Sequence, residues 1–178
     1  ARLLQHPQYT SLYYPLSSED TELTTFIDNM IRAFIDRSDM FGRYTSVANL
    51  AWRDGIAAFR EAVLDAIIRD LNAMNDPHIL LIIDNFDHAE HTDDIQRFLE
   101  ELAARLPKHC LLVVNGRTQP RFPWISLIAQ TRAIIFEDGQ LINQTFQTKP
   151  PNSFAELEIY AIGPGFVYMN GEHISKWE

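Results

Sequence analysis

The sequence contains a single cysteine, Cys110, among 178 residues. Because there is no second cysteine, no disulfide can form within the chain, and we expect a buried thiol in a reducing compartment, the cytoplasm. A domain of this length can bury most of its apolar surface, so it needs neither a disulfide nor a structural metal to fold. The length therefore predicts one ordinary globular domain, or one domain and a fragment of another.

Basic residues and long apolar runs are also scarce. The chain has 15 Lys and Arg against 24 Asp and Glu, a formal net charge of −9. This balance argues against nucleic-acid binding through a basic face of this chain, but leaves open a DNA-binding neighbour in a longer protein. No apolar run reaches ~18 residues, and the first residues lack the pattern of a signal peptide. We expect no contact with a membrane. The missing initiator Met suggests a piece of a longer protein, and a processed or renumbered chain would look the same.

The third absence is the phosphate-binding loop of P-loop nucleotidases. Its pattern, G-x-x-x-x-G-K-S/T, wraps backbone N–H groups around the phosphates and places a lysine on them. None of the lysines of this chain follows a glycine. Residues 1–178 therefore contain no such loop, and if the protein has one, we expect it upstream of Ala1.

Apolar patterns in residues 1–146 predict alternating strands and helices. The apolar runs that predict strands are SLYYPL (11–16), HILLIID (78–84), CLLVVN (110–115) and RAIIFE (132–137). Apolar residues at helical spacing predict helices after SSED (17–20), over about 45–74 and over about 92–106, with a short one at 125–130. SSED and Thr92 offer N-cap residues for two of these helices. The order predicts an α/β fold, with a mostly parallel sheet that has helices on both faces.

The character of the sequence changes after about residue 146. Residues 147–154 are polar with paired prolines, which is typical of a linker. Residues 155–178 alternate apolar and polar side chains, and Asn170–Gly171 is a strong turn signal, so we predict a short antiparallel β-hairpin. Because an isolated hairpin is marginal in water, we interpret this segment as the start of a second, incomplete domain.

Two predicted strand ends carry side chains that suit phosphate chemistry. HILLIID ends in Asp84, which is followed by Asn85 and Asp87, and CLLVVN is followed by Arg117. In open α/β sheets ligands bind beyond these ends, where a carboxylate can hold Mg²⁺ and an arginine can bind a phosphate. Asp84 and Arg117 also have interpretations that involve no ligand. Asp84 can cap the next helix, and Arg117 can be a surface residue beside a Pro-rich loop.

Other interpretations of these acids fit less well. A phosphoacceptor receiver domain needs a lysine after a later strand, and RAIIFED has none. A haloacid-dehalogenase-type nucleophile needs acids separated by one residue, whereas Asp84 and Asp87 are separated by two. His88 and His91 are too close together for the usual zinc-binding pair on a helix, and no third His or Cys follows at a suitable spacing.

The stretch ILLIIDNFDHAEHTDDIQRFLEELAARLPKHCLLVVNGRTQPRFPWISLIAQ resembles the central part of the signal-transduction ATPases with numerous domains, the STAND ATPases. The nearest likeness is to maltose-regulator-type bacterial transcriptional activators. The resemblance rests on four features in order: an aliphatic strand ending in acids, a helix, the residues LP before the next strand, and an Arg before a Pro-rich loop. The resemblance covers about residues 10–140. It implies a partial P-loop NTPase domain over residues 1–146, with ATP and Mg²⁺ bound in the full-length protein.

The resemblance also implies roles for four residues. Asp84 would be the Walker B carboxylate that binds Mg²⁺, and Arg117 the sensor arginine. Asn85 stands in the nucleotide site where many members have a second acid that polarises the attacking water. We therefore expect inefficient hydrolysis, with Asp87 as the candidate to replace that acid.

The segment LEIYAIGPGFVYMNGEHISKW is similar to the first strands of the winged-helix domain in activators that carry a bacterial transcriptional activation domain. Residues 155–178 would then begin a DNA-binding domain whose recognition helix lies beyond Glu178. The chain would be a regulatory ATP-binding fragment of a bacterial transcriptional regulator, and the surface left by the absent first strand would favour self-association. The alternative is a non-catalytic interaction or oligomerisation scaffold with a degenerate nucleotide site.

Overall fold

A computed structural model of the chain describes most of residues 10–116 and shorter pieces beyond them. The described residues are 10–48, 55–116, 121, 133–136, 146–147, 155–157 and 165–169. The strands are β1 (Thr10–Pro15), β2 (Ile79–Asp84), β3 (Cys110–Asn115), β4 (Ala133–Phe136), β5 (Phe146–Gln147), β6 (Ala155–Leu157) and β7 (Gly165–Met169). The helices are α1 (Leu23–Ile35), α2 (Thr45–Ala48), α3 (Ile56–Ala73) and α4 (Asp93–Arg105), with a 3₁₀-helix over Phe86–Ala89.

Three parallel strands form the part of the sheet that carries the predicted site. β1 pairs in parallel with β2, so that Pro15 lies beside Asp84 at the last pair. β2 pairs in parallel with β3, and Ile83 lies beside Val114. The carboxyl ends of the three strands therefore meet at one edge. The α/β class and a parallel sheet flanked by helices are confirmed for this part of the chain, while the assignment to a P-loop fold without its P-loop strand stays a prediction.

Helices α1, α3 and α4 pack on one face of these strands. Alternate strand residues on that face, including Leu12, Leu81 and Leu112, form one buried cluster with apolar residues of α1, α3 and α4. The residues of the opposite face, Leu80, Ile82, Leu111 and Val113, are also buried but lie outside this cluster. Within the described residues, the predicted helix packing is thus found on one face. Cys110 is buried as expected, and burial raises the pKa of its thiol to about 12.

The segment between β1 and α1 is held by a buried acid rather than by a helix cap. Asp20 is fully buried and accepts hydrogen bonds from the Tyr14 hydroxyl (2.6 Å), the Ser17 N–H (2.7 Å) and the Asn29 side-chain amide (3.1 Å). The prediction that SSED caps α1 is wrong, because the N-cap position is Glu22 and no side chain caps the helix. Thr92 does stand at the N-cap of α4, but its side chain makes no capping hydrogen bond.

β7 lies in the main sheet, which the sequence did not predict. The strand order is β1-β2-β3-β7-β4, and β7 runs antiparallel to both β3 and β4. β5 and β6 pair with each other in a separate antiparallel sheet. The predicted C-terminal hairpin is not confirmed: its turn, Asn170–Gly171, lies outside the described residues, and β7 pairs with the main sheet. The predicted self-association through surface left by the absent first strand stays a prediction.

Candidate functional site

Asp84 lies at the carboxyl end of β2, between the ends of two neighbouring strands. Its Oδ1 accepts hydrogen bonds from the backbone N–H of Asn85 (2.9 Å) and from Nδ2 of Asn115 (2.7 Å). Its Oδ2 accepts a hydrogen bond from the hydroxyl of Tyr13 (2.8 Å). The three side chains share one face of the sheet, since Tyr13 pairs with Ile82 and alternate residues of a strand point to the same side. We call Tyr13, Asp84 and Asn115 the edge cluster.

Tyr13 lies between the carboxylate of Asp84 and the guanidinium of Arg37. The Cζ atom of Arg37 is 5.6 Å from the centroid of the Tyr13 ring, within the range of a cation–π contact. Burial and the hydrogen bond to Asp84 raise the pKa of Tyr13 to about 12, and nearby Arg37 acts in the opposite direction. The hydroxyl therefore keeps its proton at neutral pH and remains a donor to Asp84.

The turn after Asp84 explains why an asparagine follows it. Asn85 has φ 55° and ψ 40°, and it is the only non-glycine residue with positive φ in the part of the chain that the structure describes. Asparagine visits this left-handed region more readily than most residues because its short polar side chain can bond locally. The turn leads into the 3₁₀-helix, whose first turn carries the half-buried Asp87. The backbone conformation alone thus favours Asn85 over most other residues.

Gly116 allows the end of β3 to approach this turn closely. A Cβ atom added to Gly116 would lie 3.1 Å from Cβ of Phe86 and 3.2 Å from the backbone nitrogens of Phe86 and Asp87. A larger residue would need the turn to move, so glycine suits this position. The predicted phosphate contact, Arg117, is the next residue of the chain and lies outside the described residues.

Arg121 attaches the chain after β3 to the start of α4. Its backbone N–H donates to Oε1 of Gln96 (2.7 Å), and its guanidinium donates to the carbonyl of Glu90 (2.9 Å) and to Oδ1 of Asp93 (2.7 Å). Gln96 is buried, and its Nε2 also donates to the Glu90 carbonyl (2.6 Å). Gly116 therefore lies against the turn that follows β2, and Arg121 is hydrogen-bonded to Glu90 and to α4.

The structure brings together part of the predicted site. Asp84, Asn85 and Asp87 lie in one turn at the carboxyl edge of the sheet, and Asn115 reaches Asp84 from β3. Their roles in binding and catalysis stay predictions. Sequence reasoning missed the contribution of Tyr13. The available signal was alternation, since Tyr13 and Tyr14 are neighbours in the predicted strand and their hydroxyls must therefore lie on opposite faces of the sheet.

Comparison with known proteins does not assign a family or a function to these residues. In the part of the chain that the structure describes, no helix has the length and apolar character needed to cross a membrane. The described residues also contain no group of three or more His, Cys, Asp or Glu side chains placed to hold a metal ion. Comparisons with protein-family models, with curated proteins and with solved structures find no match to this chain.

Proposed function

We propose that this chain is the regulatory nucleotide-binding part of a bacterial transcriptional regulator, with ATP and Mg²⁺ at the carboxyl edge of the sheet. The observation that carries the proposal is Asp84, a carboxylate oriented by β1 and β3 at the end of the central parallel strand. Ligands of open α/β sheets bind at this edge. An oriented carboxylate there can hold Mg²⁺ while substrate phosphates supply other ligands. The resemblance of residues 79–124 to STAND ATPases supports the same function.

Each predicted residue has a defined part in this proposal. Asp84 binds the Mg²⁺ ion, and Arg117 contacts the terminal phosphate, because a guanidinium matches phosphate oxygens in a bidentate way. Asn85 lines the nucleotide site without adding a charge, and Asp87 is the carboxylate available to polarise a water molecule. Since residues 1–178 contain no P-loop, the chain alone is not competent to hydrolyse ATP.

Regulation follows if ATP and Mg²⁺ bind one arrangement of the longer protein better than another. Such a difference in affinity shifts the population toward the arrangement that binds better. DNA would then be bound through downstream domains, the first of which begins within residues 155–178. The net charge of −9 fits a chain that regulates DNA binding without itself contacting DNA.

Isothermal titration calorimetry with ATP and Mg²⁺ tests the proposal in two steps. We expect residues 1–178 to show no tight ATP site, because most phosphate contacts are absent, and micromolar affinity would contradict this. The longer protein should bind ATP, and Asp84→Ala should abolish the dependence of that binding on Mg²⁺. Asp65→Ala, which removes an exposed acid of α3, is the control. Unchanged Mg²⁺-dependent binding in Asp84→Ala would refute the assignment.

A second candidate function is a non-catalytic interaction scaffold. The observation that favours it is that both oxygens of Asp84 already accept hydrogen bonds from neutral donors, so the edge cluster can join three strands without a cation. Under this candidate the longer protein shows no ATP response. A G-x-x-x-x-G-K-S/T sequence within roughly 40 residues before Ala1 would favour the nucleotide-binding function, and its absence would favour the scaffold.

A further inference from the structure

We propose that Asn115 is a deamidation site, which the folded sheet protects and which reacts when the carboxyl edge opens. The sequence contains Asn followed by Gly at two places, Asn115–Gly116 and Asn170–Gly171. The first lies within the described residues, at the end of β3. The proposal concerns the integrity of the edge cluster and does not depend on whether the protein binds ATP.

Deamidation at this place needs no reagent other than water. The backbone nitrogen of Gly116 loses its proton and attacks Cγ of Asn115. The bond between Cγ and Nδ2 breaks, and the amide nitrogen takes up that proton and leaves as ammonia. Water then opens the five-membered succinimide ring to an aspartate or an isoaspartate. Glycine favours the first step because it has no side chain to obstruct the attacking nitrogen.

The fold holds Asn115 away from this reaction. Its Nδ2 donates to Oδ1 of Asp84 at 2.7 Å, so the amide reaches sideways to β2 instead of folding over its own peptide bond with Gly116. The backbone of Asn115 is paired with Gly165 of β7, and Gly116 is buried. Because both the side chain and the backbone are held, we expect the reaction to require a local opening that breaks the bond to Asp84.

The reactive sequence distinguishes Asn115 from another asparagine that is held in a similar way. Asn29 also donates its side-chain amide to an aspartate, Oδ1 of the buried Asp20, at 3.1 Å. Asn29 lies inside α1 and is followed by Met30, whose side chain obstructs the attacking nitrogen. A hydrogen bond to a carboxylate is thus not by itself a sign of the reaction, and Asn29 serves as an internal control.

Neither product of deamidation fits the edge cluster. In the aspartate product the atom at the position of Nδ2 is an oxygen, 2.7 Å from Oδ1 of Asp84, and two carboxylates so close together repel each other. The isoaspartate product lengthens the main chain by one atom before Gly116, where even an added Cβ would lie 3.1 Å from Cβ of Phe86. Because ammonia is lost, an edge that has opened and reacted does not return to its first arrangement.

The first experiment measures deamidation by mass spectrometry in the folded full chain and in urea. Trypsin cuts after Lys108 and Arg117, which leaves Asn115 as the only asparagine of its peptide. In urea we expect Asn115 and Asn170 to react at similar rates. In the folded chain Asn115 should react at least about tenfold more slowly than in urea, because a charge-assisted hydrogen bond must break first. Equal rates in the two conditions, or no reaction at Asn115 in urea, would overturn the proposal without the need for any variant.

Asp84→Ala isolates the contribution of the hydrogen bond. This variant should raise the rate at Asn115 in the folded chain about tenfold, because the side-chain amide loses its acceptor. Asp65→Ala, which removes an exposed acid of α3, should leave the rate as it is in the wild type. An unchanged rate in a folded Asp84→Ala would contradict the protection by Asp84. If Asp84→Ala does not fold, the comparison of the folded wild type with urea decides.

A second experiment tests the consequence of the reaction by urea denaturation. Asn115→Asp should have a lower midpoint than the wild type, whereas Asn75→Asp, which adds the same charge at an exposed position after α3, should change it little. The double variant Asp84→Asn/Asn115→Asp again has one amide and one carboxylate at the two positions, and it should recover part of the loss. If Asn115→Asp does not fold, recovery of folding in the double variant gives the same answer. A wild-type midpoint in Asn115→Asp, or no recovery in the double variant, would contradict repulsion between the carboxylates.

Discussion

Single aspartates hold separate parts of this chain together by accepting several hydrogen bonds from neutral donors. Asp20 and Asp84 do so at the two sides of β1, and Asp70 of α3 does so at the start of α2. Asp70 is fully buried and accepts hydrogen bonds from the N–H groups of Tyr44 and Thr45, each at 3.0 Å, and from the Thr45 hydroxyl at 2.9 Å. The donors replace the water that a buried carboxylate loses, which makes its burial tolerable.

Replacing Asp70 tests this role at the level of one residue. Asp70→Ala should lower the free energy of unfolding by about 3 kcal/mol, because two N–H groups and a hydroxyl lose their acceptor in a buried place. Urea denaturation would show a lower midpoint with an unchanged slope. Asp65→Ala, five positions earlier on an exposed part of the same helix, should change stability by no more than ~0.5 kcal/mol. Equal losses in the two variants would contradict the role of Asp70.

At the scale of elements, the segment after β3 is attached to α4 through Gln96. Because the backbone N–H of Arg121 donates to this buried side chain, the hydrogen of that backbone amide should exchange slowly with solvent. Gln96→Leu keeps the size of the side chain but removes the acceptor, and we expect exchange at Arg121 to become about tenfold faster. Arg97→Leu, on the exposed side of α4, should leave this amide unchanged. Similar exchange in Gln96→Leu and the wild type would show that Gln96 does not hold this segment.

The strands and helices near the site could be predicted because their signals are local. The apolar run of residues 78–84 and the helical spacing after SSED each report burial within a short stretch, and β2 and α1 follow them closely. The partners of the acids could not be predicted in this way. Asp20 belongs to the SSED stretch that predicted a helix cap. Asp84 contacts Tyr13 only because of the register between β1 and β2, and the two residues are 71 positions apart in the sequence. The place of β7 in the sheet likewise depends on long-range pairing, since Asn115 of β3 lies opposite Gly165 of β7.

At the scale of the whole molecule, the histidine just before β2 makes stability depend on pH. Burial lowers the pKa of His78 below its ordinary value of 6.5, and the charge of His109 acts in the same direction. Between the lowered value and 6.5, the unfolded chain binds a proton more readily than the folded chain. The free energy of unfolding therefore falls as the pH drops through this window and is restored above it.

His78→Gln should weaken this dependence. We expect the urea midpoint of the wild type to fall between about pH 7.5 and about pH 5.5, and the midpoint of His78→Gln to fall less, because the glutamine cannot take up a proton. His91→Gln, which replaces an exposed histidine beyond the 3₁₀-helix, should keep the wild-type fall. A fall of the same size in His78→Gln would mean that other groups cause the pH dependence.

The edge cluster also has a consequence for the order in which the chain folds. The bonds to Asp84 span 71 residues from Tyr13 and 31 residues from Asn115, so they form only after both crossovers between parallel strands have closed. Contacts over such separations form late, because the entropy of closing each loop must be overcome first. During synthesis the three side chains cannot meet until Asn115 has left the ribosome. A nascent or partly folded chain would therefore carry Tyr13, Asp84 and Asn115 without the hydrogen bonds that join them, and the carboxylate of Asp84 would take its orientation only when the parallel sheet is complete.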